Sequence, residues 1–209
     1  MVEMIIVVTL SLIAAYRLGF CSNRDKGRRG ERRVRRILRP VCRKGGFRLL
    51  NDIYIKSCGR EAQIDHVLIG RSGVFVIETK NYDGRIDGTS DMKEWTQTVD
   101  GKESTFYNPL WQNWGHISAL RDLLGDVCPE KCFHSLVVFP HSMMLHTDSL
   151  RVIGRRQLRM VVLSEREDVL SENQMKAVAD AITAADEVSR AARRRYVRSI
   201  RRKLRKESR

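Results

Sequence analysis

The chain has no internal repeat, no proline- or serine-rich linker and no glycine loop spaced to cradle a phosphate. The first absence excludes a solenoid, the second a string of tethered domains. The third excludes a P-loop, because the glycines near residue 30 are too loosely spaced. Its five cysteines (Cys21, Cys42, Cys58, Cys128 and Cys132) are odd in number and lack the spacing of a disulfide framework, which fits a reducing compartment. Cys128 and Cys132 with His134 resemble half a zinc site, and His141 and His146 lie downstream. No second pair stands at a matching spacing, so these cysteines read as structural or surface residues. Acidic charge is in deficit: 39 Lys and Arg face 25 Asp and Glu, for a net charge of +14. Such an excess points to a polyanionic partner, either nucleic acid or an acidic lipid surface. A length of 209 residues suits one domain of ordinary size with appendages.

Lys and Arg are also missing ahead of the apolar run Met4–Cys21, which is about the shortest that spans a bilayer. No small-x-small cleavage site follows it, and bulky Phe20 precedes Cys21, so neither a secretory nor a lipoprotein signal is expected. Arg17 can snorkel near one end, and Arg24, Lys26, Arg28, Arg29, Arg32, Arg33, Arg35 and Arg36 all come after. The positive-inside rule then predicts a single-pass membrane protein with its N-terminus outside and the rest cytoplasmic. The alternative is a soluble amphipathic or core helix, but the first half of the run is apolar on every side.

The most informative stretch is Ile64–Tyr82, two apolar strands joined at Gly70-Arg71-Ser72-Gly73. If Ile69 faces Val74, the antiparallel register sets Asp65 across from Glu78 and Gln63 across from Lys80. Alternation puts Val74, Val76, Glu78 and Lys80 on one face, and likewise Asp65, Val67 and Ile69. Opposed Cβ atoms lie roughly 4.5–5.5 Å apart. Two carboxylates that close repel unless a proton or cation lies between them. An exposed polar strand face is the bland alternative. The continuous runs Val67-Leu68-Ile69 and Phe75-Val76-Ile77 argue instead for strands buried on both faces, with the charges at the rim of a core.

Asp65 followed at a distance by Glu78-Thr79-Lys80 resembles the D…(D/E)-x-K signature of the restriction-endonuclease-like nucleases. Gly30-Glu31, Gln63-Ile64-Asp65-His66, Gly73–Asn81 and Asn108-Pro109 with Gln112 together resemble the nuclease-related domain, often called NERD, from about Gly27 to Pro140. Where many of the wider superfamily carry proline before the aspartate, this chain has Ile64. The resemblance implies an α/β fold, a mixed sheet flanked by helices. It implies metal ligation by Asp65 and Glu78, catalysis by Glu31, Asp65, Glu78 and Lys80, and substrate contacts from Gln112 and Gln63. Mg²⁺ or Mn²⁺ is the expected cofactor and nucleic acid, most simply DNA, the expected partner. Residues 1–23 then form the anchor, 24–140 the nuclease-related domain, 141–185 a C-terminal α/β extension and 186–209 a basic helical tail.

Around this hairpin the pattern predicts a helix from Lys26 to Leu38 stopped by Pro40, with Glu31 on its apolar stripe beside Val34, Ile37 and Leu38. Glu31 there is either ion-paired to a neighbouring arginine or a third acidic group at the site. Strands are expected at Phe47–Ile55, on either side of the Asp100-Gly101 turn, at Phe133–Phe139 and at Arg159–Leu163. Asn108-Pro109 starts a helix running to Leu124, its core stripe Leu110, Trp114, Ile117, Leu120 and Leu124, with His116 a polar flank. Tyr82, Trp95 and Tyr107 suit either the core or base stacking. Ser171 and Gln174 cap a long last helix whose end is rich in Arg and Lys. Two functions fit: a metal-dependent nuclease of low sequence specificity, or a membrane-tethered module that binds nucleic acid or a protein without cutting.

Overall fold

The computed structural model describes residues 25–57, 60–142 and 144–207. A first helix, α1 (residues 25–45), leads into three antiparallel strands, β1 (Arg48–Ser57), β2 (Arg60–Gly70) and β3 (Gly73–Thr79). Three shorter strands follow: β4 (Arg85–Asp87), β5 (Glu94–Val99) and β6 (Lys102–Tyr107). Helix α2 (Pro109–Leu124) and two single turns of 3-10 helix lead to β7 (Phe133–Phe139), β8 (Met144–His146) and β9 (Val152–Gly154). The chain closes with α3 (Leu158–Ser164) and the long α4 (Glu172–Glu207).

Two mixed sheets result, ordered β1-β2-β3-β7-β9 and β6-β5-β4-β8. In the first, β3 runs antiparallel to β2 and parallel to β7, so it is buried on both faces. One face packs Ile64, Val67, Ile69, Val74 and Val76 against Ile117 and Leu120 of α2 and Val178 and Ile182 of α4. The other packs Leu68, Phe75, Ile77 and Val138 against Val34, Leu38 and Val41 of α1 and Leu158 and Val162 of α3. A third cluster, built on Ile86, Trp95, Val137 and Phe139, joins the two sheets. Edge strand β1 is covered by α4: the Tyr54 N–H donates to Asp186 Oδ1 (2.7 Å) and the Lys56 N–H to Ser189 Oγ (3.1 Å). Those two amides are thereby closed to strand addition.

The hairpin register follows the predicted one from Gly70 opposite Gly73 through Ile69 opposite Val74 to His66 opposite Ile77, and the pairing ends there, short of the expected Asp65–Glu78 and Gln63–Lys80 pairs. Gly73 sits at φ 123°, and a Cβ there would meet the Cys132 carbonyl at 2.3 Å, so no larger residue fits. Strict alternation fails at one place. Ile64 and Val67, three apart, face the same core, so β2 changes face around Asp65. Facing it, Asp52 of β1 takes a left-handed backbone at φ 53°.

Several expectations change. Helix α1 continues through Pro40 to residue 45. Pro40 lies on the exposed side, where water can bond the freed carbonyl, while Leu38 and Val41 on either side of it are buried. Arg159–Leu163 is helical instead of extended, because Leu158 and Val162 bury one helical turn apart. Trp114 is 57% exposed and leaves the core stripe, whereas Asn113 and His116 are buried. Trp95 is fully buried and Tyr82 packs on Phe106, which makes both core residues, while Tyr107 and Trp111 meet at the surface. The apolar run Met4–Cys21 lies outside the described residues, and among those described no helix is long and apolar enough to cross a membrane.

Candidate active site

Alternation along β3 carries the side on which Val74 and Val76 pack directly to Glu78, which is 4% exposed. Both of its carboxylate oxygens are held. Oε1 lies 2.9 Å from the Lys80 ammonium, and Oε2 lies 3.2 Å from His116 Nε2. With Glu78 ionised, that second bond needs the imidazole proton on Nε2. Lys80 Nζ also donates to Gln112 Oε1 at 2.7 Å. Gln112 and His116 are one turn apart on α2, so a single helix face supplies both contacts.

Local sequence fixes where α2 sits. Asn108 caps it by accepting from the Leu110 N–H (2.9 Å) and donates to the Met92 carbonyl (2.6 Å), with Pro109 next. Asn113, fully buried, donates to the Val76 carbonyl (2.9 Å) and to Ser135 Oγ (2.8 Å). It thus ties the helix to β3 and β7 immediately beneath Glu78.

Asp65 reaches the same corner from β2: its Oδ2 accepts the Thr79 N–H at 2.8 Å. No hydrogen bond reaches its other oxygen among the described residues. Burial and the neighbouring Glu78 charge push the Asp65 carboxyl well above its ordinary range, against the opposing pull of the Thr79 amide. Glu78 goes the other way. Burial would raise it, but the His116 hydrogen bond and the Lys80 ammonium outweigh burial and hold it below the usual value. Two adjacent carboxyls are thus pushed in opposite directions, as catalytic pairs are.

Glu31 arrives from α1. That helix can approach because residue 30 is glycine: a Cβ there would lie 2.6 Å from Asn81 Cβ, at the end of β3. Asn81 Nδ2 then donates to the Lys26 carbonyl at 2.6 Å and fastens the contact. Burial raises the Glu31 carboxyl, and the charges of Asp52 and Glu78 add to it. No arginine forms an ion pair with Glu31 among the described residues; Arg28 and Arg32 act on it only at longer range. Gln63 differs from expectation: it is exposed and donates to Asp52 Oδ1 at 2.8 Å, while the partners of Lys80 are Glu78 and Gln112.

The fold therefore gathers Glu31, Asp65, Glu78, Lys80 and Gln112 and leaves Gln63 at the margin. Sequence reasoning missed His116 as a Glu78 partner, Asn113 as a pin and Asp52 as a fourth acidic group nearby. Two signals for them exist. His116 stands four residues after Gln112, and Asn51-Asp52, residues prone to left-handed backbone, interrupt a strand. Cys128 and Cys132 are buried thiols, and His134 Nε2 bonds the Ser72 carbonyl at 2.7 Å. No three His, Cys, Asp or Glu side chains among the described residues form a metal-binding group by themselves.

An uncharacterised protein of Bacillus anthracis is 30% identical over 186 residues, 87% of each chain. The structure of Can2 from Sulfobacillus thermosulfidooxidans, in complex with cyclic tetra-adenylate, aligns at a TM-score of 0.37 and 18% identity. That alignment covers 66% of this chain and 35% of the other. Residues 26–140, more than half of the chain, match the nuclease-related domain. The chain belongs to the nuclease-related domain family.

Proposed function

We propose that this protein is a divalent-metal-dependent nuclease that hydrolyses phosphodiester bonds of nucleic acid, DNA in the first instance, with little sequence preference. One observation carries the reading: Asp65, Glu78 and Lys80 meet at the rim of a buried hairpin, where a lone acidic pair would be costly.

The residues fit a hard cation. Asp65 keeps an oxygen that accepts no hydrogen bond among the described residues, and its charge is opposed by Glu78 rather than neutralised. Mg²⁺ is commonly held by one or two carboxylates, with waters and a substrate phosphate completing the shell, so a third acidic ligand is not required. Asp65, Glu78 and the Thr79 carbonyl would hold Mg²⁺ or Mn²⁺. When bound, such an ion neutralises charge on the phosphoryl oxygens and makes water a better nucleophile.

The chain's own groups divide the remaining work. Lys80 Nζ, steadied between Glu78 and Gln112, places a positive charge where the phosphoryl oxygens gain negative charge and orients the attacking water. His116 keeps Glu78 in one rotamer by holding its second oxygen. Gln112 has one amide end on Lys80 and can offer the other to a phosphate. Glu31, raised by burial, holds a proton near the water more readily than a solvated carboxylate does. Contacts of this kind are to the backbone and read no bases.

Incubation of the full chain in detergent micelles with supercoiled plasmid and Mg²⁺ or Mn²⁺ tests the proposal. Nicking that requires the metal and is lost in Glu78→Gln and Lys80→Ala supports it. Retarded but uncut DNA in wild type and variants alike supports the binding module instead. We further propose that Met4–Cys21 tethers the domain to the cytoplasmic side of a membrane, on the strength of the basic residues that follow the run. Release of the full chain by alkaline carbonate would refute that tether.

A further inference from the structure

Helix α1 carries more arginine than its packing uses. At 100° per residue, Arg28, Arg32, Arg35, Arg39 and Arg43 fall within an arc of about 80° and extend over about 22 Å of helix. The arc points away from buried Val34, Leu38 and Val41, and all five arginines are exposed. None of them lies within ion-pair distance of a carboxylate among the described residues. Elsewhere Arg71 pairs with Glu172, Arg85 with Asp87, Arg121 with Glu130 and Arg190 with Asp186.

These guanidiniums also have a surface to work on. Arg35, Arg39 and Arg43 line an open groove of about 690 Å³ whose other walls are Cys42, Leu49 and Asn51. Asn51 Oδ1 is 2.8 Å from Nδ1 of His66, the residue after Asp65, on the α1 side of the sheet. Glu31 stands between Arg28 and Arg35 at the edge of the same stripe. A phosphate-bearing strand laid along this stripe would be led along α1 to Glu31, whose charge is felt by Asp65 and which feels Glu78 at the end of the hairpin.

The geometry points to this groove as the track for one sugar–phosphate backbone of the nucleic-acid substrate, held by Arg35, Arg39 and Arg43. The inference rests on the nuclease reading and adds the direction from which substrate enters. Guanidinium forks bond phosphate oxygens in pairs. At one phosphate per 3.4 Å of strand, about 22 Å of helix spans roughly six phosphates. A single backbone can settle into this shallow, open groove and touch Asn51 and Leu49, whereas a plane of lipid headgroups would engage only the exposed guanidiniums.

The test measures binding without turnover. A fluorescein-labelled DNA duplex is titrated with the full chain in micelles, in EDTA, over a series of salt concentrations, and followed by anisotropy. The triple variant Arg35→Ala/Arg39→Ala/Arg43→Ala should bind on the order of tenfold more weakly. Its log K against log salt slope should be shallower by about 2.7, at roughly 0.9 per phosphate contact. The Arg→Lys triple at the same positions should keep most of the slope. A charge-matched triple outside the groove lining, Lys56→Ala/Lys102→Ala/Lys131→Ala, should bind as wild type does. Unchanged affinity and slope in the groove variant overturn the inference, and so do equal losses in both triples, which would mean diffuse attraction by net charge. Loss of binding to phosphatidylserine vesicles with DNA binding intact reassigns the stripe to lipid and also overturns it. Because EDTA silences cleavage, a groove that passes in a protein that never cuts would sink only the nuclease reading.

Discussion

Strand β3 shows the same backbone two different neighbourhoods. Toward α1 and α3 it offers Phe75 and Ile77, and toward α2 and α4 it offers Val74 and Val76. Both sides turn polar in the next step. Thr79 on the first side keeps a buried hydroxyl with no hydrogen-bond partner among the described residues. Glu78 on the second has both oxygens held, by Lys80 and His116. The difference lies in what each facing helix presents at that level. Helix α2 brings Gln112 and His116 to the strand end, whereas α1 brings Gly30 and Glu31, neither of which bonds the Thr79 hydroxyl. A charge can be kept at the end of a buried strand only where the opposing element supplies its counterparts.

The comparison breaks most visibly if Glu78 and Lys80 are altered. Glu78→Gln and Lys80→Ala should each lower nicking per folded molecule at least ~10²–10³-fold, read from initial rates normalised to the folded fraction from a melt on the same sample. An active Glu78→Gln enzyme would show that the polar face has no catalytic part. On the apolar face, Ile77→Ala should remove about 2–5 kcal/mol of stability by leaving a cavity, measured by urea unfolding, with the rate per folded molecule unchanged.

His66, across from Ile77 and 1% exposed, gives the apolar face a pH dependence. Burial, with the Arg35 charge nearby, lowers its pKa from 6.5 to about 4. The unfolded chain therefore binds the extra proton first. This stability is fully present above pH 6.5 and drains away as pH falls toward 4, by about 3 kcal/mol at most. In EDTA, urea midpoints across that window should fall in wild type and fall less in His66→Gln; parallel curves would count against the assignment.

Smaller effects sharpen the contrast. His116→Leu should reduce kcat by roughly tenfold, by freeing Glu78 Oε2, and His116→Asn should recover part of it by restoring an N–H donor. Equal rates for the two would deny His116 its positioning role. Trp114→Ala, at an exposed helix position, should stay within about 0.5 kcal/mol of wild type.

Much of the hairpin was legible because it rests on short-range rules. Period-two alternation and a four-residue connection were enough to set Ile69 against Val74 and to carry Glu78 and Lys80 to the side of Val74 and Val76. The Asp100-Gly101 turn and the Asn108-Pro109 helix start were readable for the same reason, since backbone preference and capping act within a few residues. Arg159–Leu163 was misread because a short apolar run fits either period, and only packing of Leu158 and Val162 under the sheet selects the helix. His116 was undervalued because its burial depends on how deeply Asn113 seats α2 on β3 and β7, a contact spanning 37 residues.

By itself, then, the sequence determined a buried hairpin with acidic and basic residues at its rim, an α1 heavily coated in arginine and a family signature spread over four blocks. Local sterics and side-chain alternation suffice for those. Only the tertiary structure decided that α1 comes close enough, across Gly30, to bring in Glu31, and that α2 presents Gln112 and His116 to Lys80 and Glu78. It alone decided that the arginine stripe borders a groove walled by Leu49 and Asn51, with His66 held behind Asn51. Those arrangements join residues far apart in the chain, and their geometry comes from the common packing of helices on one sheet, which no local pattern encodes.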